Sequence, residues 1–210
     1  RNMRASHWYD DPRVGAGTKK VFYRPWFDSY NNFHPVVVTW DQTTDTFARE
    51  DDVTITGDLS SVHSNISGIF DESAQATYGA DNYTLNETFV SGGVRYITVM
   101  HFQYQDCLDE GSRTWVTYSI DSANPKAFTY HSSVTIPITP MNIHWLNDSR
   151  TLMAVLTGGN TYIYAFNAST GWSLASTITD KIVEIGRDSL DRIWYVTQSD
   201  VDTHFTSIHL

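Results

Sequence analysis

Histidine and carboxylate side chains are the groups in this sequence that could bind a metal ion or transfer a proton. The eight histidines are scattered, with no HxH or HExxH spacing, and no acidic cluster has the spacing of an EF-hand loop. The best calcium candidate is the segment that contains Asp106, Asp109 and Glu110, because it is a loop between predicted strands. We predict hydrogen-bonded histidines and solvated loop carboxylates, with no cofactor and no metal beyond this weak calcium candidate.

Motifs for nucleophilic and nucleotide chemistry are also missing from the sequence. It contains no G-x-S-x-G elbow, no G-x-G-x-x-G fingerprint and no P-loop. Gly92-Gly93 and Gly158-Gly159 predict hairpin turns rather than phosphate cradles. We therefore predict that the protein is not an enzyme.

Aromatic side chains are the most abundant candidates for binding. The 7 Trp, 12 Tyr and 10 Phe exceed what strand cores usually require, and they indicate a platform for sugars or a protein interface. The competing interpretation is core packing, which we expect for Trp115, Trp145 and Trp194. The interface candidates lie near Pro and Asn, with little strand pattern: Trp8, Tyr9, Trp26, Phe27, Tyr30 and Phe33.

The elements that must position these residues are β-strands. Val, Ile and Thr together number 55, whereas Ala, Leu, Glu and Lys together number 30. Asp outnumbers Glu 19 to 5, which is typical of a chain rich in turns. No segment shows sustained helical periodicity. The composition therefore predicts an all-β fold and excludes a helical bundle.

The charge and hydropathy of the chain restrict its partners. A net charge of −10 with only four lysines argues against binding nucleic acid. No apolar run approaches the roughly 20 residues of a membrane span, so we expect no membrane insertion. The chain begins with Arg1 rather than Met, so a missing targeting signal says little about the compartment. The single cysteine, Cys107, cannot close an intrachain disulfide, so stability must come from packing.

A repeat organises the second half of the chain. The segment 147–157 (NDSRTLMAVLT) recurs 40 residues later as 187–197 (RDSLDRIWYVT), with Asp, Ser and the final Thr coinciding. Each copy follows a short apolar segment, 141–146 or 181–186. Each unit therefore predicts a strand, an Asp-Ser turn and a second strand.

A second pattern places Asp or Asn after a strand and an aromatic residue across the following turn. The Asx side chain can bond the turn backbone, and the aromatic ring can pack on the hairpin. A period of about 40 to 50 residues with four short strands is typical of propeller blades. The pattern occurs in 36–47, 115–128 and 161–172, with Asx at Asp41, Asp121 and Asn167.

Residues 141–197 resemble β-propeller blades. The segment 188–197 is similar to the Asp-Ser-x-Gly-x-Ile-Trp strand of regulator-type propellers, although Asp191 stands where Gly is usual. The segment 109–115 (DEGSRTW) is close to the Asp-box turn of sialidase-like propellers, with one residue too many. In that family the box is a structural turn remote from catalysis, so the resemblance supports the fold and leaves activity open.

We expect an all-β chain that forms a β-propeller, or a partial propeller, of about four four-stranded antiparallel blades with the last blade incomplete. Residues 1–19 would form an N-terminal arm or linker, and 20–210 the propeller-like domain. The strand 203–210 would expose an edge bearing Phe205 and Ile208. We expect this edge to be covered either by a strand from the N-terminal region that closes the ring or by a neighbouring subunit. The blades would fall at 20–85, 86–138, 139–179 and 180–210.

These inferences predict a non-catalytic structural or binding module. The Thr-, Asp-, Asn- and Tyr-rich, Lys-poor composition resembles that of bacteriophage virion proteins, and propeller domains occur in the tail nozzles of short-tailed phages. The expected location is therefore the virion, with other protein subunits as partners in a homo- or hetero-oligomer and a glycan receptor as a further candidate. The alternative is a secreted carbohydrate-binding or sialidase-type propeller.

Overall fold

In the described part of this computed structural model, every helix or strand assigned is a β-strand. The predicted all-β class is therefore confirmed there. Of the chain, the structure describes residues 8–27, 33–50, 53–57, 82–85, 88–102, 113–136, 142–157, 159–180, 182–188, 190 and 192–197.

The first sheet is a four-stranded antiparallel meander near the start of the chain. Its strands are β1 (Tyr9–Asp10), β2 (Lys19–Phe27), β3 (Phe33–Asp41) and β4 (Thr46–Glu50). They pair in chain order, and the register places Val21 opposite Thr39. Residues 9–18 belong to the predicted arm, and β1 pairs with β2 within this sheet.

The second sheet is built on another antiparallel meander, with a parallel strand added at one edge. Gly92 and Gly93 both have positive φ in its first hairpin, which confirms the turn predicted there. The order across the sheet is β5-β10-β9-β8-β6, with β7 also paired to β8. The strands are β5 (Thr54–Thr56), β6 (Asn82–Leu85), β7 (Phe89–Ser91), β8 (Val94–Phe102), β9 (Arg113–Ile120) and β10 (Ala127–Ile136).

The third sheet is again a four-stranded antiparallel meander, and the fourth is a hairpin. The third contains β11 (Asn142–Trp145), β12 (Leu152–Leu156), β13 (Thr161–Asn167) and β14 (Gly171–Ile178). The fourth contains β15 (Ile182–Arg187) and β16 (Ile193–Thr197). The strand predicted over 203–210 lies outside the described residues.

The chain divides into two compact units, Arg1–Pro137 and Ile138–Leu210. The first unit contains the first and second sheets, and the second unit contains the third and fourth. The boundary falls inside the predicted 20–210 domain and close to a predicted blade boundary at 138/139. Four sheets are present among the described residues, as four blades would require, but their strand numbers differ.

The core of the first unit lies between its two sheets. Val21, Tyr23 and Val37 of the first sheet are fully buried against apolar residues of the second. Val116 faces this core from β9, whereas Trp115 and Thr117 on the other face of the same strand are also buried. The second sheet is therefore buried on both faces at β9, which confirms the core position expected for Trp115.

The core of the second unit repeats this arrangement. Ala154 of the third sheet packs with Ile182 and Ile185 of the fourth. Its neighbours Met153 and Val155 point to the other face of β12 and are fully buried as well. Both faces of the third sheet are therefore buried around β12.

The structure corrects the register of the internal repeat from 40 to 41 residues. In one hairpin Trp145 pairs with Met153, and in the other Gly186 pairs with Trp194, each 41 positions later. A Cβ on Gly186 would lie 2.5 Å from the Trp194 ring, so the missing side chain makes room for the indole. The tryptophan of this pair thus lies on the first strand of one hairpin and on the second strand of the other.

The turns confirm this register. The Asn147 side-chain oxygen accepts a hydrogen bond from the Thr151 backbone N–H at 2.9 Å. The Asp188 side-chain oxygen accepts the equivalent bond from Arg192 N at 2.9 Å. Asn147, rather than Asp148, is therefore the structural counterpart of Asp188.

Candidate functional site: an aromatic face on the first sheet

The alternation of side chains along the first sheet places four aromatic residues on one face. Phe22 and Trp40 alternate with the buried Val21, Tyr23 and Thr39, so they point away from the core. Trp40 pairs with Phe47 of β4. Trp8 immediately precedes β1 and contacts Phe22. We call Trp8, Phe22, Trp40 and Phe47 the aromatic face.

The four rings form one continuous cluster. Trp8 packs edge-on against Phe22, with ring centroids 4.2 Å apart. It also contacts Trp40 at 5.5 Å and Phe47 at 6.0 Å, with its plane tilted by 59° and 52° to theirs. Trp40 and Phe47 are nearly parallel, at an angle of 8°. The Trp8 ring is therefore inclined to the other three rings, and the four rings do not lie in one plane.

Two rings of the aromatic face are exposed to solvent, and Phe22 and Trp40 are partly buried. Phe47 is 62% exposed and Trp8 is 41% exposed. Removing these rings from water would be favourable, because burial of apolar surface lowers the free energy. Large aromatic residues are also enriched in protein interfaces. The arrangement is suited to burying apolar surface of a binding partner.

Charged groups border the aromatic face. Asp10 is half-exposed and accepts a hydrogen bond from Lys20 at 2.6 Å. This bond is the main cause that lowers the pKa of Asp10 below its ordinary value. Across the sheet, Arg49 is paired with Val38 and is exposed. At the nearby turn, Asp45 accepts a hydrogen bond from the Trp40 indole at 3.0 Å, which fixes the orientation of that ring.

Tyr9, predicted with Trp8 as an interface residue, points to the opposite face of β1. Its hydroxyl is hydrogen-bonded to the hydroxyl of Tyr23, which in turn donates to the carbonyl of Pro125 at 3.0 Å. The Arg95 guanidinium lies 4.1 Å from the centroid of the Tyr9 ring. Burial raises the pKa of Tyr9 and, more strongly, that of Tyr23. These contacts join the first sheet to the second.

A charge network reinforces the same junction. Asp11 accepts hydrogen bonds from Arg13, whose guanidinium also binds both carboxylate oxygens of Glu50 at 2.7 and 2.8 Å. Lys126, in the turn before β10, lies 3.3 Å from Glu50. The network therefore connects the segment after β1, the end of β4 and the second sheet.

The pKa values of the network follow from these contacts. Burial acts to raise the pKa of Asp11, but the hydrogen bonds and charge of Arg13 outweigh it, so the pKa is lowered. Hydrogen bonds from Arg13 lower the pKa of Glu50, and Lys126 adds to the effect. The bonds to Glu50 and Asp11 raise the pKa of Arg13.

The structure describes only some of the other predicted site residues. Trp26, Phe27 and Phe33 belong to the strand ladder between β2 and β3, where Phe27 pairs with Phe33. Among the described residues, no group of three or more His, Cys, Asp or Glu could hold a metal ion. The remaining predicted residues lie outside the described part of the chain: Tyr30, Asp106, Asp109, Glu110, Phe205 and Ile208.

Sequence reasoning found Trp8 but missed its three neighbours. Phe22, Trp40 and Phe47 lie on different strands, and their proximity depends on the pairing of β2 with β3 and β3 with β4. One sequence signal could have indicated that Phe22 faces outward. Its neighbours Val21 and Tyr23 are both buried on the core face, so the residue between them must lie on the other face of the strand. That alternation shows which residues share a face only after the strand pairing is known.

No family model matches the sequence, and no curated protein matches it. In the part of the chain that is described, no helix has the length and hydropathy needed to cross a membrane.

Proposed function

We propose that the chain is a β-propeller, or part of one, and acts as a non-catalytic binding module in a protein assembly. The assembly we propose is a virion, for example a phage tail, in which this module contacts neighbouring subunits. The observation that carries the binding role is the exposed aromatic face, since it lies on a sheet whose other face packs on the second sheet through Val21, Tyr23 and Val37.

The propeller part of the proposal is supported by a hairpin that recurs in three sheets. In the first three sheets the Asx hairpin joins the last two strands of the meander, β3–β4, β9–β10 and β13–β14. The Asx side chain binds the turn backbone each time: Asp41 to Thr43 N, Asp121 to Ala123 N and Asn167 to Ser169 N. An aromatic pair crosses each hairpin: Trp40–Phe47, Tyr118–Phe128 and Phe166–Trp172.

This recurrence favours a repeated structural unit over an accidental succession of strands. Each of the three hairpins combines the same two contacts, an Asx side chain on the turn backbone and an aromatic pair across the strands. The outward-facing aromatic cluster on the first sheet is the surface that we propose for another subunit.

The carbohydrate-binding alternative receives less support from the same cluster. A sugar ring stacks on a flat, open aromatic face. Trp8 stands at more than 50° to both Trp40 and Phe47 and packs against them, which interrupts such a face. A cluster of rings inclined to one another fits an irregular apolar surface of a protein better.

Particle association tests the proposed function. An antiserum against the purified chain would be used to follow it through density-gradient fractionation of lysates from producing cells. We expect the chain to sediment with particles, and the Phe47→Ser variant to be found mainly in soluble fractions, because it lacks the most exposed ring. A Leu190→Ser variant, which removes another highly exposed apolar side chain, serves as the control.

Two results would contradict the proposed function. One is a wild-type chain that is absent from every particle fraction. The other is turnover of aryl glycosides that a single carboxylate substitution abolishes.

A further inference from the structure

We propose that the aromatic face binds the same face of a second copy of this chain, in a two-fold symmetric dimer. This proposal rests on the proposed assembly function and names one partner for it. It is argued from the positions of rings and charges in the first sheet.

The residues of the face form two rows across the four strands. Strand pairing sets the first row as Trp8, Phe22, Val38 and Arg49, and the second as Asp10, Lys20, Trp40 and Phe47. The rings therefore run diagonally, from β1 in the first row to β4 in the second. The two remaining corners carry charge. Asp10, in an ion pair with its row neighbour Lys20, lies at one corner, and Arg49 lies at the other.

This pattern is complementary to itself. A two-fold axis that lies in the interface, oblique to the strands, carries β1 of one copy over β4 of the other. The axis then brings Arg49 of each copy towards Asp10 of the other, while the diagonal rings cross at the centre. Two charge pairs would flank one apolar contact, and apolar centre with polar rim is the usual anatomy of a protein interface.

Asp10 is half-exposed and Arg49 is exposed, so a second copy can reach both charged corners. The hydrogen bonds of the Asp10 carboxylate within the described residues, from Lys20 and Gly17, go to Oδ1, so Oδ2 remains an acceptor. Arg49 is exposed and lies at the edge strand of the described sheet, where a second copy can reach it.

Face-to-face sheet packing is also how this chain covers its other sheets. The inner face of the first sheet is covered by the second sheet, and one face of the third is covered by the fourth. A sheet of four strands is only about 15 Å wide, so the contact area is small and the dimer is expected to be weak. Weak contacts of this kind become effective when many copies are held in one assembly.

Charge reversal in separate chains tests the two-fold arrangement. Sedimentation velocity of the full chain up to about 0.5 mM would measure self-association of the wild type, Arg49→Glu and Asp10→Arg. Each variant alone places two like-charge pairs in the dimer, so we expect association to weaken about tenfold or more. An equimolar mixture of the two variants regains both opposite-charge pairs, so we expect it to form a heterodimer of near wild-type affinity.

Matched variants separate this effect from misfolding. Phe47→Ser is expected to abolish the dimer, whereas Leu190→Ser, in the second unit, is expected to leave it unchanged. Thermal unfolding of each variant checks that it is folded, and recovery in the mixture is a second check because an unfolded variant would not recover.

Three outcomes would overturn the proposal. They are a monomeric wild type at about 0.5 mM, a dimer that survives both reversals, and a mixture that stays monomeric. Each leaves the proposed assembly function standing, because that function is judged by sedimentation of the chain with particles rather than by self-association.

Discussion

Arg13 lies at the centre of the charge network at the junction between the first two sheets. Its guanidinium is shared by Asp11, whose side chain is only 2% exposed, and by Glu50. A buried carboxylate that loses its cationic partner keeps the cost of its own desolvation. The network therefore ties acid stability to one side chain.

Acid is expected to destabilise the first unit through this network. The pKa values of Asp11 and Glu50 are lowered in the folded state, so their contribution is complete above the ordinary carboxylate pKa and is lost as the pH falls through the lowered values. An Arg13→Met variant is expected to lose about 1–3 kcal/mol near pH 7. It should also show a flatter decline between about pH 5 and pH 2 than the wild type.

Denaturant titrations at a series of pH values would measure this change. Arg192→Met is the control, because Arg192 pairs with Asp188 while being 56% exposed, and exposed pairs contribute little. An Arg13→Met curve parallel to that of the wild type would show that Arg13 does not set the pKa values of the two carboxylates.

The Asx hairpins show which structural elements can be predicted from sequence. Each depends on residues fewer than about ten positions apart, so the patterns Asp41 to Phe47 and Asn167 to Trp172 could be recognised directly. The structure confirms the bonds of both Asx side chains to the turn backbone and the ring contacts across both hairpins. The shared Asp-Ser pair aligns Asp148 with Asp188, so the sequence predicts a repeat of 40 residues, one fewer than the 41 of the structure. Hydrogen bonding pairs Asn147 with Asp188 instead.

Contacts between residues on different strands could not be predicted from the sequence, because they depend on long-range strand pairing. Trp8 lies 39 positions before Phe47, and their contact requires β1 to β4 to pair in one particular register. Hydrophobic alternation on each strand is compatible with several such registers until the partner strand is known. The same limit applies to the parallel pairing of β5 with β10, which joins residues 73 positions apart.

Removal of an Asx acceptor is expected to weaken its hairpin. The Asp121 side chain accepts hydrogen bonds from the backbone of Ala123 and Asn124, both at 2.8 Å. Asp121→Ala should therefore reduce the free energy of unfolding by about 0.5–1.5 kcal/mol, while Asp121→Asn, which keeps the acceptor oxygen, should cost much less. Urea unfolding of both variants measures the difference. Equal losses would mean that charge, and not the turn bond, stabilises the hairpin.

At the scale of the whole molecule, each of the two units has a hydrophobic core of its own. Ile97 is fully buried in the core of the first unit, and Ile185 is 7% exposed in that of the second. Regions that open together in native-state hydrogen exchange are usually those that share a core. The distribution of the cores therefore predicts how the chain unfolds.

Hydrogen exchange of core variants should reveal two separately opening units. Truncation of a buried isoleucine costs about 2–5 kcal/mol. Ile97→Ala should therefore accelerate exchange mainly in strands β2, β3 and β8 to β10, and Ile185→Ala mainly in β11 to β16. Mass spectrometry of peptides from the exchanged protein would locate both effects, with the exposed Leu190→Ala as a control that changes neither. If either substitution accelerated exchange equally throughout the chain, the two cores would belong to one cooperative unit, since only a shared unfolding transition transmits a local loss of packing to strands outside that core.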